Sequence, residues 1–413
     1  MAVQIGYMGA KHGLAPIVGA VVAELPRGPF LDLFAGMCSV AGQIAPSRRE
    51  TWCNDVQRYA ALVARALISS PEPPPTPVQA TTELYDAFAR NLRLLKARFG
   101  DADRREGAAL KKGSGRALSE LTEEWRHAGN DPKIATEVRR QRTKRTSPYR
   151  LATLTFAFGY FGLRQSMELD SLRFAIDEAR NSQRVSPSQA RWLLVALLQT
   201  ASHVTSGPGH FAEFLSPTSK EGYQRVRRAR ARPVWRQFLV ELDRLGPYGT
   251  AEWRKTNHVY CQSAKQLGNR LGRSADRPMV VYADPPYSRA QYSRYYHVLE
   301  TLTRYDYPDS IGVGRYRPDR FQTTFSLASS VEEAIEDLAA TVASFGACLV
   351  LSYPSNGLLY EVGGDVETSL RDSYRCVRLV YSAATNHSTM GSGPGRAHTE
   401  VDEMIFVATR PRN

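Results

Sequence analysis

The sequence predicts an α/β protein whose parallel sheet is assembled from both ends of the chain around a large helical insertion. Three observations carry this. From Phe30 the chain alternates strand, glycine turn, helix, strand and helix, the opening expected of a parallel sheet. Strand-like segments return only after about residue 250. The residues between are helical in pattern and strongly basic.

Each element has a local reason. "PFLDLF" (29–34) is a short buried strand, "AGM" a turn and "CSVAGQIA" a helix; "ETWCNDV" (50–56) is a second strand ending in Asn54 and Asp55, before the helical "QRYAALVARALI". "SSPEPPPTP" (69–77) breaks the pattern, and its prolines predict a stiff, extended linker. "ELYDAFARNLRLLKARF" (83–99) has apolar residues at helical spacing, "KKGSGR" is a loop, and Ser186 caps a helix with Pro187 at its first position. After residue 250, "NHVYCQ", "PMVVYA", "CLVLSY", "RCVRLVYS" and "EVDEMIFVA" read as strands, and "SVEEAIEDLAATVASF" as a helix. The expected organisation is therefore one split domain, 1–75 with 250–413, carrying a basic helical insertion over 76–249.

The 413 residues suffice for two or three domains, with 42% hydrophobic and 23% charged residues, ordinary for a globular chain. The net charge of +13 is not ordinary and points to a polyanionic partner, nucleic acid before membrane, since no basic amphipathic helix stands out. Cys38, Cys53, Cys261, Cys348 and Cys376 lie far apart with no CxxC pair, which argues against a disulfide framework or zinc site and suits a cytoplasmic protein. The histidines show no ligand spacing, so no metal is expected. No apolar run reaches the length of a membrane span, and the N-terminus lacks a signal peptide's pattern.

Two stretches carry chemistry. In "DLFAGMCSV" (32–40), a strand running into a glycine turn and a helix offers backbone N–H groups to a ligand, and Gly36 permits close approach. About twenty residues later Asp55 ends the next strand, where a carboxylate can take both ribose hydroxyls; the pair suggests an adenosine-containing cofactor. In "YADPPYSRAQYSRYYHVLETL" (282–302), Pro285 and Pro286 end a strand on a rigid corner and leave Asp284 and Tyr287 beside it. A carboxylate, a backbone carbonyl and a flat ring suit the capture of an exocyclic amino group on a base.

With these motifs the chain resembles the DNA adenine-N6 methyltransferases of the DNA adenine methylase type. "YMGAKHGL" (7–14) is similar to that family's N-terminal cofactor motif, "FLDLFAGMCSV" to its glycine motif, "NDV" to its ribose-binding acid and "DPPY" to its catalytic motif. Their order, with a long insertion before DPPY, is that of the alpha group. "QYSRYYHVLETL" and "LVLSYPSNG" (349–357) look like a subgroup of the family. The resemblance covers roughly residues 5–68 and 278–410. It implies a Rossmann-like S-adenosylmethionine-dependent methyltransferase fold with a helical inserted domain that recognises the target. The implied cofactor is S-adenosyl-L-methionine, contacted by Tyr7, Lys11, Asp32, Phe34, Gly36, Ser39, Asp55, Val56 and Asp284. The implied catalytic residues are Asp284, Pro285, Pro286 and Tyr287. One departure stands out: Cys38 occupies the position of the motif's second glycine, where a positive φ would strain it.

The expected activity is site-specific methylation of adenine N6 in double-stranded DNA, with the base flipped out of the stack. A cognate restriction or defence system is a possible companion. Phosphate contacts are expected from Arg139 and Arg140 and from Arg225, Arg227, Arg228, Arg230 and Arg232. The rival readings are cytosine-N4 or RNA methylation, a protein-glutamine methyltransferase, and a DNA-binding regulator with a degenerate methylase fold. Cytosine-C5 chemistry needs a Pro-Cys nucleophile, which the sequence lacks.

Overall fold

The computed structural model of the chain describes residues 13–128, 132–387 and 399–412. Among the described residues, seven strands form one sheet: β1 (Phe30–Asp32), β2 (Thr51–Asn54), β3 (His258–Tyr260), β4 (Val280–Ala283), β5 (Cys348–Pro354), β6 (Tyr374–His387) and β7 (Thr399–Pro411). Their order is β3-β2-β1-β4-β5-β7-β6. The first five are mutually parallel, and β7 runs antiparallel between β5 and β6. The fold is α/β with a Rossmann-like sheet. Strand order reverses between β1 and β4, the switch point at which open α/β sheets bind ligands.

Alternation along the strands sorts the core into two layers. Leu31, Val281, Leu349 and Leu351 face one cluster with the helices Ala264–Leu271 and Val331–Ala343. Phe30, Val280, Tyr282 and Val350 face the other, covered by the helix Ala15–Ala23. All five strand segments read after residue 250 are strands here, as is the helix before "CLVLSY". No helix of the described residues is long and apolar enough to cross a membrane.

The chain divides into two compact units. One holds the sheet: the described residues up to Ser69, Tyr248–Ser293, and the described residues from Phe321 onward. Where the chain leaves and returns, this unit pins the crossing points. Tyr248 N–H donates to the Leu67 carbonyl (2.8 Å). Ser293 Oγ donates to the Phe321 carbonyl (2.6 Å), and Thr323 N–H donates to Gln291 Oε1 (2.9 Å).

The other unit comprises Ser70–Pro247 and Arg294–Arg320. It is helical, led by the helices Pro77–Lys112, Leu163–Asn181 and Pro187–Val204. Ser186 caps the last of these in a capping box with Gln189. Residues 294–320, grouped by sequence pattern with the C-terminal α/β segment, pack in this helical unit. Tyr305 from that segment donates to the buried Asp170 carboxylate (2.5 Å), which also accepts the N–H groups of Ala152 and Thr153. The proline-rich stretch at 69–77 is not a free spacer. Trp192 Nε1 donates to the Glu72 carbonyl (2.9 Å), Ser186 Oγ donates to the Glu72 carboxylate (2.6 Å), and Thr76 caps the next helix.

Arg230 corrects an expectation. It was grouped with the phosphate-contacting arginines, yet its side chain is 1% exposed and pairs with Glu106 at 2.8 Å. Its Nη2 also donates to the Phe158 carbonyl (2.9 Å). The helix Lys220–Arg230 buries Tyr223, Val226, Ala229 and Arg230, so the helical period turns this arginine inward. Arg230→Ala would leave Glu106 buried and unpaired, and chemical denaturation should show a loss of about 3–5 kcal/mol. Arg228→Ala, on the exposed face, should stay within roughly 0.5 kcal/mol of wild type. Equal effects from the two would remove the structural role of Arg230.

Candidate active site

The carboxyl ends of β1, β2 and β4 meet at the switch point, and each delivers an aspartate. Asp32 ends β1 and pairs in register with Tyr282 of β4, so Asp284 follows two residues past a direct neighbour of Asp32. Leu33 N–H donates to the Tyr282 carbonyl (3.0 Å), which holds the two strand ends together beyond the regular ladder. Asp55 follows β2 and accepts two backbone bonds, from Gly36 N–H (3.1 Å) and Gln57 N–H (2.8 Å).

These carboxylates repel one another. Burial raises the Asp32 carboxyl well above the usual carboxylate range, and the charges of Asp284 and Asp55 raise it further; a bond from the Phe34 backbone opposes them. Among the described residues, Asp32 Oδ1 is buried without a hydrogen-bond partner. A buried cluster of this sign, with an unsatisfied acceptor, suits a ligand that brings positive charge and hydrogen-bond donors.

The glycine turn runs from β1 into a helix, as the sequence pattern predicts. Gly36 has φ +48° and its N–H is committed to Asp55, while the helix that follows, Ser39–Ile44, has only six residues. The turn therefore holds Asp55 in place as it leads into the short helix. Cys38 adopts the left-handed conformation (φ +60°, ψ +30°), the condition under which a cysteine at this place is strained. It is wholly buried, and its thiol meets that of Cys53 on β2. The bond with Cys38, then burial, raises the Cys53 thiol well above its usual range.

The corner after β4 is as rigid as its prolines require. Pairing with β5 stops at Ala283–Leu351. Asp284, Pro286 and Tyr287 are half-buried and Pro285 is buried. The Tyr287 carbonyl accepts Leu358 N–H (2.7 Å), and its ring packs beside the core and lies 6.5 Å from that of Tyr292, at 69°. Leu358 is placed by "SYPSNG": Tyr353 OH accepts Leu359 N–H (3.0 Å), and a Cβ on Gly357 would lie 2.3 Å from the Tyr353 ring. Phe34 meets Phe325 edge-on at 5.6 Å. Ser39, the first residue of the helix after the turn, and Val56, next to Asp55, are half-buried.

Residues 219–343, which include β3, β4 and the Asp284–Tyr287 corner, match the sequence model of the D12 class N6 adenine-specific DNA methyltransferases. The chain is similar to that class. Modification methylase LlaI of Lactococcus lactis subsp. lactis is 22% identical over 408 residues, covering 96% of this chain and 54% of that protein. Type II methyltransferase M.FokI of Planomicrobium okeanokoites is 25% identical over 228 residues, 54% of this chain and 31% of that protein. Type II methyltransferase M.CviAII of Paramecium bursaria Chlorella virus 1 is 21% identical over 411 residues, 98% of each. The chain thus spans about half the length of LlaI and a third of M.FokI.

Of the residues singled out by the D12-like motifs, the α/β unit brings Asp32, Phe34, Gly36, Asp55, Asp284 and Tyr287 to one sheet edge. Tyr7 and Lys11 lie outside the described residues. In the helical unit, Arg139, Arg140, Arg225, Arg227, Arg228 and Arg232 are exposed. Arg232 donates to the His203 carbonyl. Sequence reasoning missed Asn54, whose amide links three strand ends: Nδ2 donates to the carbonyls of Leu33 (3.1 Å) and Gln262 (3.0 Å), and Oδ1 accepts Gln262 N–H (3.2 Å). Its signal was present in "NDV", an amide beside the acid at a strand end.

Two predictions follow from strain and charge. Cys38→Gly and Cys38→Ala both delete the thiol, but only alanine keeps a Cβ at positive φ. The glycine variant should be the more stable by about 1 kcal/mol in urea denaturation. Asp32→Asn removes a carboxyl whose folded pKa is raised, so stability from Asp32 is present below its unfolded pKa and lost as pH rises through the folded value. The ligand-free variant should out-melt wild type at pH 8, and the gap should shrink toward pH 4. A gap that widens on acidification contradicts the carboxylate clash.

Proposed function

We propose that the protein is a site-specific DNA adenine-N6 methyltransferase that uses S-adenosyl-L-methionine. One observation supports this above the others: Asp284-Pro285-Pro286-Tyr287 leaves β4 directly beside the Asp32–Gly36 turn of β1, and β1 has on its other side β2, whose end carries Asp55 bonded back to Gly36. A base-amine clamp and a nucleoside-cofactor cradle thus share one sheet edge. The residues fit the cofactor's chemistry. Asp55 is fixed for ribose hydroxyls, and the Asp32–Asp284 pair faces a place for positive charge. When bound, S-adenosyl-L-methionine supplies an electrophilic methyl group on a sulfonium.

The protein's part is positioning and electrostatics. Tyr287 stacks the flipped adenine, its backbone anchored by Leu358. Asp284 and the Pro285 carbonyl accept hydrogen bonds from the N6 amino group, turning its lone pair toward the methyl group and stabilising the charge that develops on nitrogen. No covalent enzyme intermediate is required. Gly36 and Phe34 shape the cradle floor, with Ser39 and Val56 beside them; for Tyr7 and Lys11 the cofactor role rests on the resemblance of the N-terminal motif alone. The exposed Arg139, Arg140, Arg225, Arg227, Arg228 and Arg232 contact phosphates without sequence preference. The names of the relatives place modification methylases among the similar proteins, which supports a partnership with a restriction system.

Transfer of a labelled methyl group to duplex DNA, followed by nucleoside analysis, tests the reading. The expected product is N6-methyladenine; N4-methylcytosine, or label in RNA only, replaces it with a rival. Asp284→Ala should abolish single-turnover methylation without a matching loss of stability. Tyr287→Ala should cost about 1–3 kcal/mol of base stacking, and Tyr287→Phe far less. If Phe proves as inactive as Ala with melting unchanged, Tyr287 is no stacking platform. Asp55→Ala should weaken cofactor binding by roughly 1.5–3 kcal/mol in calorimetry.

A further inference from the structure

We propose that the helical unit reads DNA sequence through a pocket framed by the turn Ile311–Tyr316, Phe214 and Arg294, with Arg294 as the residue that recognises a guanine. The proposal rests on the DNA reading above and uses none of the arginines that the sequence singled out.

The turn is built to be rigid. Ile311 and Tyr316 exchange both backbone hydrogen bonds at 2.9 Å, and Arg315 N–H donates to the Gly312 carbonyl (3.1 Å). Gly312 and Arg315 have φ of +69° and +52°. The strained Arg315 is held by its own guanidinium, whose Nη1 lies 2.7 Å from the carbonyls of both Thr155 and Ala157. Tyr160 OH, buried, lies 3.0 Å from the Gly314 carbonyl. A Cβ on Gly314 would approach the Tyr316 ring to 2.3 Å. What this locked turn presents is apolar: Ile311 is 50% and Val313 66% exposed. Exposed apolar side chains on a rigid tip give the fold little, but they suit contact with the bases of a duplex.

Beside the tip is a cavity of about 460 Å³ lined by Glu213, Phe214, Arg294, Val313 and Tyr316, among others. Arg294 is exposed and oriented: Nε donates to Tyr316 OH (2.8 Å) and the guanidinium carbon lies 5.3 Å from the ring centroid. Arg320 lies 4.8 Å from the same ring. Tyr316 OH is itself tied to the Ala212 carbonyl. Because that hydrogen bond uses Nε, the two terminal NH2 groups of Arg294 remain for the paired donation that guanine O6 and N7 accept. Glu213 supplies the matching acceptor for a cytosine N4 amino group. Asp306 and Asp319, acids of the same segment, are neutralised by Arg304 and Arg317. The donor and acceptor pattern therefore fits the major-groove edge of a G·C pair. By contrast, the exposed arginines of the helix Lys220–Arg230 offer phosphate contacts, which carry no sequence information.

The test compares wild type, Arg294→Gln and Val313→Ser on genomic DNA by single-molecule sequencing of the methylated motif. In parallel, a photoreactive benzoylphenylalanine at position 313 is cross-linked to duplex DNA. Arg294→Gln should relax one G·C position of the motif by roughly 5- to 150-fold, about 1–3 kcal/mol at 1.4 kcal/mol per tenfold, and leave the other positions intact. Val313→Ser should lower activity on duplex without changing the motif, and position 313 should cross-link to bases. An unchanged motif in Arg294→Gln, with activity lowered equally on all sites, overturns the proposal. So does absence of a cross-link from an enzyme that methylates normally. If wild type methylates no DNA, yet cross-links at 313 with a sequence dependence that Arg294→Gln erases, the activity reading fails and the surface stands.

Discussion

The hydrogen bonds made by two adjacent side chains, Asn54 and Asp55, are the constraint on which the candidate site depends. Short parallel strands have little ladder of their own; β1 has three residues and β2 four. Their carboxyl ends would fray without further ties. Asn54 joins the end of β1 to the exit of β3, and Asp55 fixes the glycine turn through Gly36 N–H. The rigid corner after β4 is then registered against them through Leu33 and Tyr282. Remove this stitching and the aspartates have no fixed relation to one another.

The same region holds most of the chain's locally unfavourable features. Asp32 is buried among like charges, Cys38 sits at positive φ, and two buried thiols share a contact. Local propensity and packing would favour none of these. Sites that bind ligands commonly concentrate such conflicts because the ligand's charge and donors resolve them. The large apolar clusters on both faces of the sheet offset the cost.

Much of this was legible beforehand because the signals were local. Strand runs bounded by proline or glycine, the Ser186–Pro187 cap and the Asp-Pro-Pro-Tyr corner each state their geometry within a few residues. Cys38 could be marked as strained on the condition that its turn takes a positive φ, and the backbone meets that condition. The misreadings were long-range. Arg230 looks like its neighbours until Glu106, far away in sequence, is seen opposite it. The segment 294–320 reads as a continuation of the catalytic motif, yet its Tyr305 is satisfied by Asp170. Periodicity cannot reveal such partners; for the same reason the stiff stretch at 69–77 gave no sign that Trp192 anchors it.

The pinned crossing points bear on how such a protein can be recombined. Each excursion from the α/β unit begins and ends at residues already hydrogen-bonded to each other, at Leu67 with Tyr248 and at Ser293 with Phe321. To the sheet, each is a closed loop whose length matters little, since closure entropy grows only slowly with loop size. The helical unit is nevertheless fed by both loops. A graft that carries 70–247 without 294–320 would strand Asp170 without its tyrosine and leave Tyr160 without the Gly314 turn. Exchange of this unit between related proteins must therefore be a coordinated double crossover, with both cassettes inherited from the same parent.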